Sequence, residues 1–250
     1  MIGVYLSGTG NTKHCTQRLL ELLDENAAAV PMEDKKAVQL IAESEFVVLA
    51  YPTQFSNAPV MVRDFIKNNA ALWQGKSIFC LTTMGLFSGD GTGCTARILK
   101  KYGAKVVGGL QIHMPDSISD NKLLKKSPEE YRKIVKNADQ KIQAAAGRIR
   151  TGDYPGEGLG FFSHIAGLLG QRLWFYGKTL HYSDKLKINS SCVGCGLCAK
   201  VCPMHNIAMQ EGRPVSQGQC TMCYRCISQC PQKAMTLLGK EVAEQYRFEE

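Results

Sequence analysis

Eight of the chain's eleven cysteines lie between residues 192 and 230, in one spacing used twice. Cys192-x2-Cys195-x2-Cys198-x3-Cys202-Pro203 recurs 28 residues later as Cys220-x2-Cys223-x2-Cys226-x3-Cys230-Pro231. The flanks echo too, with Ala208-Met209 after the first Cys-Pro and Ala234-Met235 after the second. Such an internal repeat implies two related half-domains packed face to face. Three cysteines at x2 intervals come off successive backbone turns and aim their sulfurs at one cuboidal 4Fe–4S cluster, and the fourth lies too far along to join them. Structural zinc has a different signature, two short Cys-x-x-Cys units across a longer spacer. Disulfides need an oxidising compartment.

The segment Met1–Leu6 has neither a basic region nor a cleavage site, so no signal peptide is expected, and a cytoplasmic location with reduced thiols follows. No run of about 18 apolar residues occurs, so no transmembrane segment is expected. The formal net charge of +8 points toward nucleic acid only at first sight. Each oxidised cluster with its four thiolates carries roughly −2, and any bound phosphate ester roughly −2 more. The holoprotein is then only mildly basic, no nucleic-acid motif accompanies the charge, and no nucleic-acid partner is expected.

Residues 1–150 alternate strand-like and helix-like segments. Met1–Leu6, Ala27–Val30, Phe46–Ala50, Ser77–Thr82 and Lys105–Gln111 read as strands, the third a continuous apolar run suited to burial on both faces. Helices are expected through Leu19–Leu23, after Pro59, and near 92–102 with Gly103 as the stop. Ser127-Pro128-Glu129-Glu130 is a capping box opening a helix to Arg150. Strands and helices in this alternation imply an α/β domain with a five-stranded doubly wound parallel sheet. Residues 151–184 read as linker and bridging helix, 185–237 as a small α+β domain carrying the cysteines, and 238–250 as a tail. Within the bridge, 161–182 is rich in Leu, Phe, Trp and Tyr, broken by His164, Gln171 and Arg172. A packing role for this helix, with Trp174 and Trp73 as packing residues, stands ahead of peripheral membrane contact or partner docking.

After the first strand, Ser7-Gly8-Thr9-Gly10-Asn11-Thr12 opens a helix. Two glycines let the backbone curl so that several N–H groups converge on one anion, the hydroxyls add donors, and the helix N-terminus adds its dipole. The loop lacks the lysine of a triphosphate loop and is not G-x-G-x-x-G followed by an acidic ribose ligand, so a monophosphate suits it better than a dinucleotide. On this hexapeptide, residues 1–150 resemble a flavodoxin. The resemblance implies FMN at the C-terminal edge of the sheet, with its phosphate on Ser7–Thr12. The loop Tyr51-Pro52-Thr53-Gln54-Phe55-Ser56-Asn57 matches the first ring-flanking loop, with Tyr51 or Phe55 as the stacking aromatic. Thr83, Met84, Gly85, Phe87, Gly89 and Asp90 belong to the second, and Met114-Pro115-Asp116, at the same sheet edge, is either an ordinary loop or a segment that closes over the ring. The first loop has no glycine where many flavodoxins place one, and Asn57 is its residue most tolerant of positive φ.

Residues 185–237 resemble two-cluster bacterial ferredoxins, which implies that each fourth cysteine serves the neighbouring cluster. One cluster then uses Cys192, Cys195, Cys198 and Cys230, and the other Cys220, Cys223, Cys226 and Cys202. Over nearly its full length the chain is similar to a flavodoxin–ferredoxin fusion family of anaerobic microbes. Two functions follow as expectations. One is an electron carrier between two 4Fe–4S clusters and FMN, serving a redox protein donor or acceptor. The other is a reductase acting on a small-molecule acceptor over an exposed flavin face. Cys15, Cys80 and Cys94 read as buried apolar groups, His14 as a surface residue, and His113, His164, His181 and His205 show no metal spacing.

Overall fold

The strands of residues 1–150 run parallel because a helix follows each and carries the chain back along the sheet before the next begins. The structure, a computed structural model, describes residues 1–180 and 185–248. Residues 181–184 of the expected bridge, His181 included, and 249–250 of the expected tail lie outside the described residues. Elements in chain order are β1 (Ile2–Tyr5), α1 (Asn11–Leu23), β2 (Ala28–Pro31), α2 (Lys36–Ala42), β3 (Phe46–Pro52), α3 (Val60–Asn68), β4 (Ser77–Met84), α4 (Gly91–Lys101), β5 (Lys105–His113) and α5 (Pro128–Arg150). The five strands form one parallel sheet in the order β2-β1-β3-β4-β5. That is the flavodoxin-like order, whose direction of winding reverses between β1 and β3 and so leaves a crevice at the strands' C-terminal ends.

Alternation along the central strands sends side chains to two cores. Val47, Leu49, Ile78 and Cys80 meet Ile41 of α2, Val62 and Ile66 of α3, Leu99 of α4 and the buried Trp73 on one face. Val48, Phe79, Leu81 and Ile112 meet Leu19 and Leu20 of α1 and Ile142 and Ala146 of α5 on the other. α5 starts where its capping box dictates, with Ser127 Oγ accepting from the Glu130 amide at 3.2 Å and the Glu130 carboxylate accepting from the Ser127 amide at 2.9 Å. Cys15, Cys80 and Cys94 are buried.

The stretch read as a linker lies along the sheet edge: the Gly109 amide donates to Pro155 O at 2.7 Å and the Glu157 amide to Gly109 O at 2.9 Å. Beyond it run α6 (Phe161–Gly167), a π-helical turn (Leu168–Arg172) and α7 (Leu173–Leu180). Trp174 does not pack as expected; it is 75% exposed, its indole donating to Leu169 O at 3.0 Å. No helix among the described residues is long and apolar enough to cross a membrane.

The cysteine-bearing part contains β6 (Lys187–Ile188), α8 (Leu197–Val201), β7 (Ile207–Gln210), β8 (Arg213–Ser216), α9 (Arg225–Gln229) and β9 (Met235–Thr236). β6 pairs with β9 and β7 with β8, both antiparallel. Its core of Ile207, Met222, Tyr224, Ile227, Met235 and Leu237 also takes in Phe55 and Ile118 from the loops of the large sheet. The two parts are packed together at the C-terminal edge of that sheet.

Candidate functional site

Gly10 has φ 101°, a left-handed value open to glycine, and this bend lets the chain leave β1 and enter α1 through a tight loop. The Gly10 amide donates to Ser7 Oγ at 3.2 Å, closing the loop on itself. Thr12 Oγ1 lies 2.8 Å from Thr83 Oγ1, and Asn11 Nδ2 donates to Pro115 O at 2.7 Å. The loops after β1, β4 and β5 are thereby tied into one rim. It surrounds a cavity of about 230 Å³ lined by Ser7–Thr9, Asn11, Thr12, Pro52–Phe55, Thr83–Phe87, Met114–Ile118 and, from the cysteine-bearing part, Met222–Tyr224. Gly85 borders the Asp116 carboxylate so closely that a Cβ would overlap it. Asp116 Oδ1 accepts from the Ile118 amide at 2.8 Å, and burial pushes its carboxyl above the usual range. A loop rich in amides and hydroxyls, leading into a slot with apolar walls, fits a phosphate tail followed by a planar ring.

Several residues expected at the flavin are elsewhere. Tyr51 is fully buried in the core, its hydroxyl donating to Gly91 O at 2.8 Å and lying 2.5 Å from Thr95 Oγ1. Phe55 does line the cavity, and it stacks on Phe175 of α7 at 4.8 Å. Ser56 is buried with Oγ donating to Gln171 Oε1 at 2.8 Å. Asn57 caps the Ala58 amide with its own side chain at 2.9 Å, and the positive φ values fall instead on Phe55 (48°) and Ser56 (55°). Gln54 and Asn57 exchange two main-chain hydrogen bonds of 2.9 Å around that pair, as in a hairpin turn whose two central residues are left-handed. Gly89 packs on Gly167. Asp90 is fully buried, paired with Arg97 at 2.7 Å, with His164 at 2.9 Å and with Arg172. His14 is no free surface group either: it lies 2.7 Å from Asp139 and stacks on Phe248.

The two cysteine runs fold alike. Gly194 and Gly196 flank Cys195 with φ 69° and 74°, and Met222 and Tyr224 flank Cys223 with φ 57° and 62°. Each run then enters a short helix, α8 or α9. The repeat extends to the fourth cysteines, where the Asn206 amide donates to Cys202 Sγ and the Ala234 amide to Cys230 Sγ, both at 3.3 Å. Cys192, Cys195, Cys198 and Cys230 surround one cavity, and Cys202, Cys220, Cys223 and Cys226 a second. The structure thus brings the cysteines together in the two interleaved sets expected. The first set is the outer one, with Cys195 exposed. In the second, burial pushes the Cys223 thiol up to about 12 and raises Cys226 as well, so thiolates persist there only beside a compensating cation such as cluster iron. N–H···S bonds and an all-sulfur donor set fit 4Fe–4S clusters.

Sequence reading missed the seam between the two parts. The Gly8 backbone abuts the Cys223 carbonyl. Arg225 donates to Ser7 O at 2.7 Å and pairs with Glu33 at 2.6 Å, and Gln54 Nε2 donates to Thr221 O at 2.8 Å. The tail returns to the phosphate loop, where the Phe248 amide donates to Thr9 O at 2.7 Å and Tyr246 Oη to Asn11 Oδ1 at 2.8 Å. No short motif marks such contacts, since the partners lie some two hundred residues apart.

Residues 185–242 match the family model of the 4Fe-4S dicluster domain. Over 47 residues the chain is 43% identical to a component of the ion-translocating oxidoreductase complex of Methanosarcina acetivorans, a match spanning 18% of each protein's length. Among solved structures it is similar to the two-electron reduced flavodoxin of Megasphaera elsdenii, with 21% identity, TM-score 0.42, and 59% of this chain and 99% of that one covered. It is likewise similar to a Fusobacterium nucleatum flavodoxin bound to flavin mononucleotide, with 20% identity, TM-score 0.43, and 60% and 96% covered.

Proposed function

We propose that this chain, in which a flavodoxin-like sheet is joined to a 4Fe–4S dicluster domain, is an electron-transfer iron–sulfur flavoprotein holding FMN and two clusters and serving a low-potential redox protein in anaerobic metabolism. The observation that carries this reading is a shared wall: Cys223 and Tyr224 line both the inner sulfur cavity and the crevice at the sheet edge. When bound, the clusters exchange single electrons and FMN one or two, so the protein's part is to fix distance, access and potential. Cys195, exposed on the outer set, gives a docking partner its approach, and the half-buried inner set stands between it and the crevice. Ser7, Thr9 and Thr12 offer hydroxyls to the FMN phosphate, Thr83–Phe87 and Pro52–Phe55 flank the ring, and Met114–Asp116 closes its edge. The crevice is roofed by Met222–Tyr224 of the cysteine-bearing part, which closes the approach to a ring held between the loops. That favours the carrier reading over a reductase, which needs room for a substrate above the ring.

The test uses anaerobically purified full-length protein, expected to hold about eight irons and one FMN per chain. A reduced ferredoxin as donor should reduce the flavin rapidly in stopped-flow absorbance. Cys192→Ala with Cys195→Ala should keep the flavin and slow that reduction by at least about tenfold, a barrier change of roughly 1.4 kcal/mol. Equal rates would show that electrons reach the flavin without the outer set, and the relay would be wrong.

A further inference from the structure

On the other side of the Gly8–Gly10 backbone lies a second and larger cavity, about 510 Å³, between the sheet edge and the helices of the cysteine-bearing part. Its size lies within the roughly 300–1,000 Å³ range of ligand pockets. Lys13 of α1, Lys200 of α8 and Arg247 of the tail reach it from three separate elements, and Arg225 reaches it from a fourth. Lys200 and Arg247 have no carboxylate partner among the described residues. Among the described residues of the wall, the one acidic side chain is Glu33, two residues beyond the end of β2. Arg225 occupies its Oε1, while Oε2 is buried and has no hydrogen-bond partner. A buried carboxylate oxygen without a donor is costly and asks for one.

Lys200 and Arg247 call for an anion and Glu33 Oε2 for a hydroxyl donor, which a fully ionised phosphate does not carry. A ribose phosphate satisfies both. In nucleotide-binding α/β sheets, an acid at the end of the second strand is placed to accept from a ribose hydroxyl, while the Gly-rich turn after the first strand holds phosphate. We infer that this cavity binds a ribonucleoside phosphate, with its ribose hydroxyls on Glu33 and its phosphate between Lys200 and Arg247. The sequence has no G-x-G-x-x-G with its spaced acid; the fold supplies the acid from a different position. The inference rests on reading Ser7–Thr12 as a phosphate loop. Two sources share the chemistry, a separate nucleotide or the adenylate end of a flavin dinucleotide threaded past Gly8–Gly10.

The anaerobic holoprotein is denatured to identify its flavin by chromatography, and intact protein is titrated calorimetrically with AMP, 2′,3′-dideoxy-AMP and inorganic phosphate. With FMN extracted, AMP should bind at one per chain, and the dideoxy compound and phosphate should each bind at least about tenfold more weakly, as expected for a lost hydrogen bond to a charged acceptor. Lys200→Ala and Arg247→Ala should each weaken AMP severalfold with iron and flavin content unchanged. Glu33→Gln should bring AMP down to the affinity of the dideoxy compound, and cluster absorbance reports whether the Arg225 contact has survived. Extraction of FAD would support the inference and assign its source to the flavin itself. FMN with no saturable AMP binding at millimolar concentration would overturn it and leave the FMN reading standing. Equal binding of all three probes would also overturn it, as a plain anion site. AMP bound with the ribose preference by a chain holding no flavin would sustain it and overturn the FMN reading instead.

Discussion

Asp120 is the residue on which the two halves turn. Its Oδ2 accepts from the amides of Leu237, Leu238 and Gly239 at 2.6, 2.9 and 3.0 Å, and its Oδ1 from Tyr224 Oη at 2.9 Å. Tyr224 and Leu237 belong to the cysteine-bearing part, Leu238 and Gly239 open the tail that follows it, and Asp120 is buried. Asp120→Ala leaves several buried donors unsatisfied, so it should cost about 3 kcal/mol or more, read as a lower denaturant midpoint of the cluster absorbance. Thr12→Val keeps shape and removes a hydroxyl from the phosphate loop. It should weaken FMN by about 1–3 kcal/mol with iron content unchanged; unaltered flavin affinity would put the phosphate elsewhere. Single residues were also where sequence reading failed most. Tyr51 looked like a ring partner because an aromatic follows an apolar run. β3 in fact continues to Pro52, so the strand's alternation carries Tyr51 into the core, where Gly91 and Thr95, forty residues on, satisfy its hydroxyl. Asp90 looked like a flavin neighbour, and two of its partners, His164 and Arg172, come from a segment more than seventy residues away.

Whole elements were far more legible. Each of the five strands and the capping box of α5 rests on interactions within a few residues, so periodicity, Gly and Pro reveal them. The cysteine sets were legible because their spacing is itself the geometry. α2 went unread because it is only seven residues long, and the edge segment at 155–157 because it pairs without a strand-like run. The helical stretch from Phe161 to Leu180 was seen as helix, but not the π-helical turn that presents Gln171 to Ser56 and Arg172 to Asp90. These polar contacts hold its inner side, while Phe161, Phe162, Leu173 and Trp174 stay exposed on the other. The attachment therefore depends heavily on Asp90. Asp90→Asn removes the charge that Arg97 and Arg172 neutralise, and should loosen α6 and α7 by about 2–3 kcal/mol. Limited proteolysis should then cut within 161–180 faster, with iron content unchanged; an unaltered cleavage pattern would mean that the Phe55–Phe175 stack suffices.

At the scale of the whole molecule, the two parts meet backbone to backbone, and the proposed relay has its crossing point there. Gly8 permits the approach because it has no side chain: a Cβ there would overlap the Cys223 carbonyl. Carbonyl and phosphate loop cannot both keep their places in Gly8→Ala, so the inner sulfur set must move away from the crevice. Arg225 to Ser7 and Glu33, and Gln54 to Thr221, would stretch with it. The iron sites themselves are built from residues 192–230 and do not include Gly8, so iron content should stay near eight per chain. FMN affinity should fall somewhat, which saturating FMN compensates. With flavin occupancy matched in this way, reduction of the flavin by a ferredoxin donor should slow by at least about tenfold, since electron passage depends steeply on separation, while direct reduction by dithionite should proceed as in the parent chain. That last comparison isolates the seam. A Gly8→Ala protein that passes electrons from donor to flavin at the parent rate would mean that the Gly8–Cys223 contact is not the crossing point, and the shared wall at Cys223 and Tyr224 would have to give way to another route.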